Sequence, residues 1–352
     1  MIDKSKHDMV VLLNENARRV TARVMQSLQQ LIPYVPFYSA RTMEEGRRQV
    51  REALDRGCKR LICGGGDGTM DHVFNQVREY VDEQNAKFQA LSAEMRQKFD
   101  KFTWPKIGIL KLGTGNGLAG VVGSKKPSAA LLRLKEDENL PTTSIHLVEG
   151  DDRIFHFAGM GYDAAVLNDY YLFKQRFGQG ILAPWFKTLA GYLTSMIFKT
   201  IPENIIRRDK PVLRVTSGEG GVFSVSRSKG LNLLTDEPGR VIYEGPANIV
   251  GAATTPNYGY GLRAFPYAFT KKGFFNFRII TSGVVELVTH AKSIWTGAYE
   301  SPTFIDFLAK DVHVEFDRPM PFQIGGDPQG YRENVHFSIT DFCVDVFNFS
   351  AA

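Results

Sequence analysis

Apolar residues fall in short unbroken runs through the first third of the chain and in alternate positions through much of the remainder. Met9–Leu13 is an apolar run that stops at Asn14, and a helical stretch follows to about Leu31. Pro36–Ser39 reads as a second strand. Thr42-Met-Glu-Glu45 is a capping box, in which the threonine hydroxyl and the glutamate carboxylate each satisfy an exposed amide at the helix start. The helix it opens is expected to stop at Gly57. Arg60–Cys63 is a third strand and Ile107–Leu112 a fourth, and glycines follow each. Short apolar runs alternating with helical periods predict βα units, hence a parallel sheet flanked by helices on both faces. Residues 79–103 are polar, charged and free of Gly and Pro, and read as a long exposed helix or helical hairpin inserted into that pattern.

The period changes after about residue 143. Val212–Ser217, Val222–Ser226, Arg240–Tyr243, Phe274–Ile280, Asp311–Phe316 and Phe342–Phe349 look like strands, several with a period of two. Long helical units are few, with one exception at 165–201. The expected organisation is an α/β domain over 1–142 and a β-rich, sandwich-like domain over 143–352, whose C-terminal segment is free to pack back on the first.

Composition narrows the class. The 352 residues suit two domains, and 43% hydrophobic with 23% charged residues marks a globular chain. A net charge of +5 fits anionic substrates or an acidic membrane surface without requiring either. Cys58, Cys63 and Cys343 show no metal spacing, so reduced thiols in a cytosol are expected. The N-terminal apolar run is too short for a signal-peptide core, and no stretch of about 18 apolar residues predicts a membrane span. The expected location is cytoplasmic, peripheral at the inner face of the membrane.

The candidate chemistry lies where strands meet glycines. Leu61-Ile-Cys-Gly-Gly-Gly-Asp-Gly-Thr69 ends a strand, and Met70, Val73, Phe74 and Val77 continue at helical spacing. Strand, glycine turn and helix start bring backbone N–H groups to bear on an anion. Asp67 is out of place in a bare anion site. A carboxylate among phosphates is tolerable where a divalent cation bridges them or where it accepts a proton, and both uses point to phosphoryl transfer. A second glycine loop, Gly113-Thr-Gly-Asn-Gly-Leu-Ala119, caps the fourth strand. Gly115–Gly120 also fits G-x-G-x-x-G, with Glu136 and Asp137 following, but a dinucleotide fold would leave Asp67 unexplained. No G-x-x-x-x-G-K-[ST] is present.

The pair Gly64-Gly-Gly-Asp-Gly-Thr69 and Gly113-Thr-Gly-Asn116 resembles the diacylglycerol kinase catalytic domain, shared by bacterial lipid kinases, sphingosine kinases and ceramide kinases. Asn14 stands where that family has an asparagine after its first strand. Phe155–Ala164 resembles its G-x-G-x-D-A segment, Phe265–Ala268 its Pro-x-Ala segment, and Ile324–Pro328 its Asp-Gly-Glu-Pro element. The resemblance implies an N-terminal ATP domain, a C-terminal β-sandwich domain for the lipid, and catalysis in the cleft between them. It implies that Gly64, Gly65, Gly66, Gly68 and Thr69 cradle phosphates, with Gly113, Thr114, Gly115 and Asn116 holding the nucleotide and Asn14 shaping the pocket. Asp67 is then a catalytic group, orienting Mg²⁺ through water or taking the hydroxyl proton, and Asp327 is the second candidate base. Where the family has Asp-Gly-Glu the chain reads Gly325-Gly326-Asp327, and Lys272-Gly273 replaces an Asp-Gly tied to a structural Mg²⁺ in bacterial members.

The implied reaction is transfer of the γ-phosphoryl group of Mg²⁺-ATP to a hydroxyl of diacylglycerol, a sphingoid base or ceramide. The alternatives are an NAD-kinase-like enzyme, which shares Gly-Gly-Asp-Gly, and a non-catalytic nucleotide- or lipid-binding relative. Partners expected are a lipid alcohol and a peripheral membrane surface, with a homodimer open and no nucleic acid. Tyr170–Ile201 mixes Tyr171, Phe173, Phe177, Trp185, Phe186, Tyr192 and Phe198 with Lys174, Arg176, Lys187 and Lys199, a composition suited to a membrane interface. His72, His146, His156, His290, His313 and His336 are scattered without metal spacing and read as surface or satisfied core histidines.

Overall fold

The computed structural model describes residues 8–165 and 210–350. The chain divides into two compact units, Met1–Ile145 with Cys343–Ala352, and His146–Phe342.

In the first unit, β1 (Met9–Asn14), β2 (Phe37–Ala40), β3 (Arg60–Gly65) and β4 (Lys106–Lys111) run parallel in the order β4-β3-β1-β2. Helices α1 (Ala22–Leu31), α2 (Met43–Asp55), α3 (Asp67–Gln89), α4 (Ala93–Arg96), α5 (Gly117–Val121) and α6 (Pro127–Glu136) connect them. Met9 to Leu13 are buried without alternation, as strands covered on both faces should be. The expected capping box is formed: Thr42 Oγ1 accepts from the Glu45 amide, and the Glu45 carboxylate accepts from the Thr42 amide. α2 ends at Asp55, and Gly57 follows with φ of 79°.

Residues 79–103 are largely helical and exposed, as expected, but their first part is not a separate insertion. α3 continues to Gln89 because its apolar period continues: Tyr80 and Val81 are buried in line with Val73 and Val77. Tyr80 donates to Asp55 of α2 at 2.6 Å and meets the Phe102 ring edge-on at 5.1 Å. The short α4 follows. At the other end of the chain, Val346 lies parallel opposite Ile107 of β4, and Asn348 Nδ2 donates to Thr143 Oγ1 at 2.9 Å.

The second unit is antiparallel. Its strands are β5 (Thr142–Gly150, shared with the first unit), β6 (Arg153–Phe155), β7 (Phe157–Gly161), β8 (Val212–Ser217), β9 (Val222–Ser226), β10 (Gly230–Thr235), β11 (Val241–Pro246), β12 (Ile249–Ala253), β13 (Phe275–Ile280), β14 (Phe304–Ala309), β15 (Asp311–Ile324) and β16 (Asp327–Phe347). Two short helices, α7 (Val284–Thr289) and α8 (Ala291–Trp295), separate β13 from β14. The main path is β10-β9-β14-β13-β12-β7-β15. The first half of β15 pairs with β8, which pairs with β11, and its second half pairs with β7. One long strand thus serves two sets of neighbours, and phenylalanines fill the core. Phe155, Phe277 and Phe322 surround Phe337 with ring centroids 6.2, 6.5 and 6.4 Å away. A buried ion pair ties β13 to β14: Arg278 donates twice to Asp306, at 2.8 and 2.7 Å.

The fold class therefore matches the sequence reading, a parallel α/β region followed by a strand-rich one. The aromatic stretch Tyr170–Ile201 and the membrane reading attached to it lie outside the described residues. Among the described residues no helix is long and apolar enough to cross a membrane.

Candidate functional site

The C-terminal ends of β1, β3 and β4 lie side by side because the three strands are parallel neighbours in register. That edge is where open α/β sheets place ligands. β1 delivers Asn14, β3 delivers Gly64 and Gly65, and β4 leads into Gly113. Asn14 Oδ1 accepts from the Asn16 amide at 2.9 Å, a local turn that aims its Nδ2 at Thr69 Oγ1, 2.9 Å away. The Gly66 amide also points at Thr69 Oγ1, at 3.4 Å. Thr69 Oγ1 thus accepts from both β1 and the first glycine loop. The next residue, Glu15, accepts from Ser39 and Arg41 at 2.6 Å each, and these bonds hold its carboxyl below its ordinary pKa.

The two glycine loops touch backbone to backbone. A Cβ at Gly113 would lie 2.2 Å from the Cα of Gly66 and 2.6 Å from its nitrogen, so only glycine permits the approach. Asn116 closes the second loop on itself. It sits in the left-handed region at φ 54°, and its side chain accepts from the Gly113 amide at 3.0 Å and donates to the Gly113 carbonyl at 2.7 Å. Asn116 therefore shapes the loop, while Thr114 and Gly115 at its tip stay partly exposed.

Asp67 is the first residue of α3, and its carboxylate crosses to the second loop. Oδ2 accepts from the Gly117 amide at 3.0 Å and Oδ1 from the Leu118 amide at 3.1 Å. The side chain caps the start of α5 while its own backbone begins α3, so one buried carboxylate meets the positive ends of two helices.

The second unit holds the other expected residue. Gly325 and Gly326, with φ of 58° and 85°, form the two-residue turn of the β15–β16 hairpin, and Ile324 pairs with Asp327 across it. Asp327 is half-buried at that turn. Near it in the same unit is a group that spacing alone did not single out. Gln323 Nε2 donates to Tyr258 Oη at 3.0 Å and to Asp163 Oδ2 at 3.4 Å, while its Oε1 accepts from the Gly326 amide at 2.8 Å. Tyr258 donates to Asp163 Oδ2 at 3.1 Å. Asp163 Oδ1 is buried without a hydrogen bond among the described residues, and burial raises the carboxyl to about 6. Asp163 stood in the quoted Phe155–Ala164 segment, but its partners come from 95 and 160 residues away.

Residues 8–146 match the family model described as the diacylglycerol kinase catalytic domain. A protein of Chromohalobacter salexigens named "Probable lipid kinase YegS-like" is 28% identical over 124 residues, which span 35% of this chain and 33% of that relative. A protein of the same name from Cronobacter sakazakii is 22% identical over 300 residues, 85% of this chain and 81% of the relative. Among solved structures, a diacylglycerol kinase from Bacillus anthracis shares the fold with a TM-score of 0.61 at 14% identity, over 98% of each chain. The resemblance read from the two glycine loops is thereby borne out.

Proposed function

We propose that this chain, whose residues 8–146 belong to the diacylglycerol kinase catalytic-domain family, is an ATP-dependent lipid kinase that phosphorylates an alcohol group. The observation that carries the reading is the joining of the two glycine loops by Asp67 at the C-terminal edge of β1, β3 and β4. A family match supports phosphoryl transfer, and the relatives named as lipid kinases support a lipid acceptor. Diacylglycerol, a sphingoid base and ceramide are the acceptor classes proposed.

The residues present fit a nucleotide phosphate. Gly66, Gly68 and Thr69 are partly exposed at the start of α3, where backbone amides and helix dipole favour an anion, and the Thr69 hydroxyl has a proton to donate. They also fit a divalent cation reached through water, since the Asp67 carboxylate stands where the two loops join. When bound, Mg²⁺ would neutralise phosphate charge. Asp67 holds the loops in register, and Asp327, half-buried at the β15–β16 turn, is the candidate to accept the hydroxyl proton. A hydroxyl has a pKa far above 7, so its proton leaves late, and a carboxylate within hydrogen-bond reach is sufficient.

The test is transfer of radiolabelled phosphate from γ-labelled ATP to a panel holding diacylglycerol, sphingosine, ceramide and NAD. Label in a lipid fraction supports the proposal, label in NAD moves the chain to the NAD-kinase alternative, and no transfer to any acceptor favours a non-catalytic relative. Asp327→Asn is expected to lose turnover while keeping the KM for ATP. Full activity in that variant would remove Asp327 as the base.

A further inference from the structure

The histidines look scattered in the sequence, yet the β15–β16 register sets His313 directly opposite His336. Asp311 lies two residues before His313 and therefore on the same strand face. Burial confirms which face it is. Val312, Val314, Val335 and Phe337 point into the core, while His313 and His336 are exposed. The two imidazole rings stack at 4.2 Å with planes 9° apart. Asp311 Oδ1 lies 2.8 Å from His336 Nε2 and 3.9 Å from His313 Nε2. Among the described residues this is the only trio of Asp, Glu, His or Cys whose ligand atoms gather this way, all within 4.8 Å of one another.

We propose that Asp311, His313 and His336 bind a first-row transition-metal dication, with Zn²⁺ as the reference ion. Tetrahedral bonds of about 2.0–2.2 Å place ligand atoms roughly 3.3 Å apart. The separations of 2.8 and 3.9 Å bracket that spacing. The stacked rings hold their lone pairs side by side, so each must swing for the nitrogens to converge. Side-chain exposures of 57% and 49% leave room for that movement. The backbone has no need to move, because β15 is hydrogen-bonded to β8 on one side and β16 on the other. The carboxylate is seated over Gly218, where a Cβ would come within 1.9 Å of Asp311 Oδ1. On binding, His336 gives up its hydrogen bond to Asp311 and carries its ring proton on Nδ1, presenting Nε2 to the metal. Two imidazoles and one carboxylate suit Zn²⁺, Cu²⁺ or Ni²⁺ and disfavour Mg²⁺. Three protein ligands leave a coordination position for water, which makes the ion exchangeable.

The experiment is calorimetric titration of the untagged full chain with ZnCl2 in the presence of excess MgCl2. One Zn²⁺ per chain is expected, with binding weakened at least about tenfold in His313→Ala and in His336→Ala. Both variants should melt with the wild type in metal-free buffer, and Zn²⁺ should raise the midpoint of the wild type alone. Co²⁺ should give a visible absorption band in the wild type and none in the double variant. His336→Gln and Asp311→Asn serve as second variants should an alanine variant fail to fold. Unchanged Zn²⁺ stoichiometry and affinity in the folded variants would overturn the proposal, as would a wild type that binds no Zn²⁺.

Discussion

Replacing Asp67 is the most informative single perturbation, because this carboxylate is the side chain seen to join the two loops. Asp67→Asn keeps one acceptor oxygen and turns an NH2 toward the other amide. A hydrogen bond to a charged group contributes about 1.5–3 kcal/mol, and an orphaned buried donor costs about 1–3 kcal/mol. Gly117 and Leu118 are both buried, so water does not replace the lost acceptor. The expected loss is about 2–4 kcal/mol for Asn, and at least as much for Ala, which orphans both amides. At about 2–4 °C per kcal/mol, the melting midpoint of Asp67→Asn should fall by about 5–15 °C.

The assay is scanning calorimetry of the full chain, paired with hydrogen exchange followed on the peptide covering 113–122. Faster exchange at Gly117 and Leu118 should accompany the lower midpoint, because those amides lose their acceptor. A midpoint within about 1 °C of wild type, with unchanged exchange, would refute the bracing role. The carboxylate would then be held there for chemistry alone, and loss of ATP turnover in the same variant would have to be read as a direct catalytic effect.

Other substitutions test separate parts of the structure. Gly113→Ala must push apart two backbones, since its Cβ meets Gly66 at 2.2 Å, and should lower stability by about 1–3 kcal/mol together with nucleotide affinity. Gly66→Ala, whose Cβ meets Gly113 Cα at 3.6 Å, is the milder control, and the reverse ranking in chemical denaturation would contradict the contact. Asp306→Ala strands the buried Arg278 charge and should cost about 3–5 kcal/mol, measured by urea unfolding. Because burial raises the Asp163 carboxyl from 3.8 to about 6, the native state holds its proton longer than the unfolded chain does. Stability should therefore fall relative to Asp163→Asn as pH climbs from 3.8 to about 6 and stay level above that. Matching pH profiles for the two proteins would remove that assignment.

The parts legible in the sequence were those set by local chemistry. The Thr42–Glu45 box starts α2 because its two partners are three residues apart, and glycines flag the β3 and β4 ends to within two residues, β3 running on through Gly64 and Gly65 and β4 stopping at Lys111. β12 and β14 were missed for a different reason. Ile249–Ala253 is short and rich in small residues, and Phe304–Ala309 carries Asp306 in an apolar run, so neither shows clean alternation. The Asp306 charge makes sense only once Arg278 is opposite it, and that register is a long-range fact. The same holds for the histidines: His313 and His336 are 23 positions apart, and only the β15–β16 pairing joins them. The polar 79–103 stretch showed its helical, exposed character, but not that its first turns, with Tyr80 and Val81 buried, continue α3.

The geometry also answers how a carboxylate can stand in a loop built for phosphate. An unpartnered carboxylate beside phosphate oxygens would repel them. Here both oxygens are spent on Gly117 and Leu118, at the positive end of α5, while the residue itself begins α3. Two helix starts therefore share one negative charge. The Gly117 and Leu118 amides of α5 are committed to this internal anion, and the partly exposed residues Gly66, Gly68 and Thr69 at the start of α3 and the Thr114–Gly115 tip remain to face a ligand. Asp67 thereby sorts the two loops into different tasks. The second is held rigid by Asn116 and Asp67, and the first keeps its anion-binding face open. An active enzyme whose nucleotide affinity survives loss of the Thr69 hydroxyl but not loss of the Asp67 carboxylate would have its loop geometry, rather than that one donor, as the main source of binding.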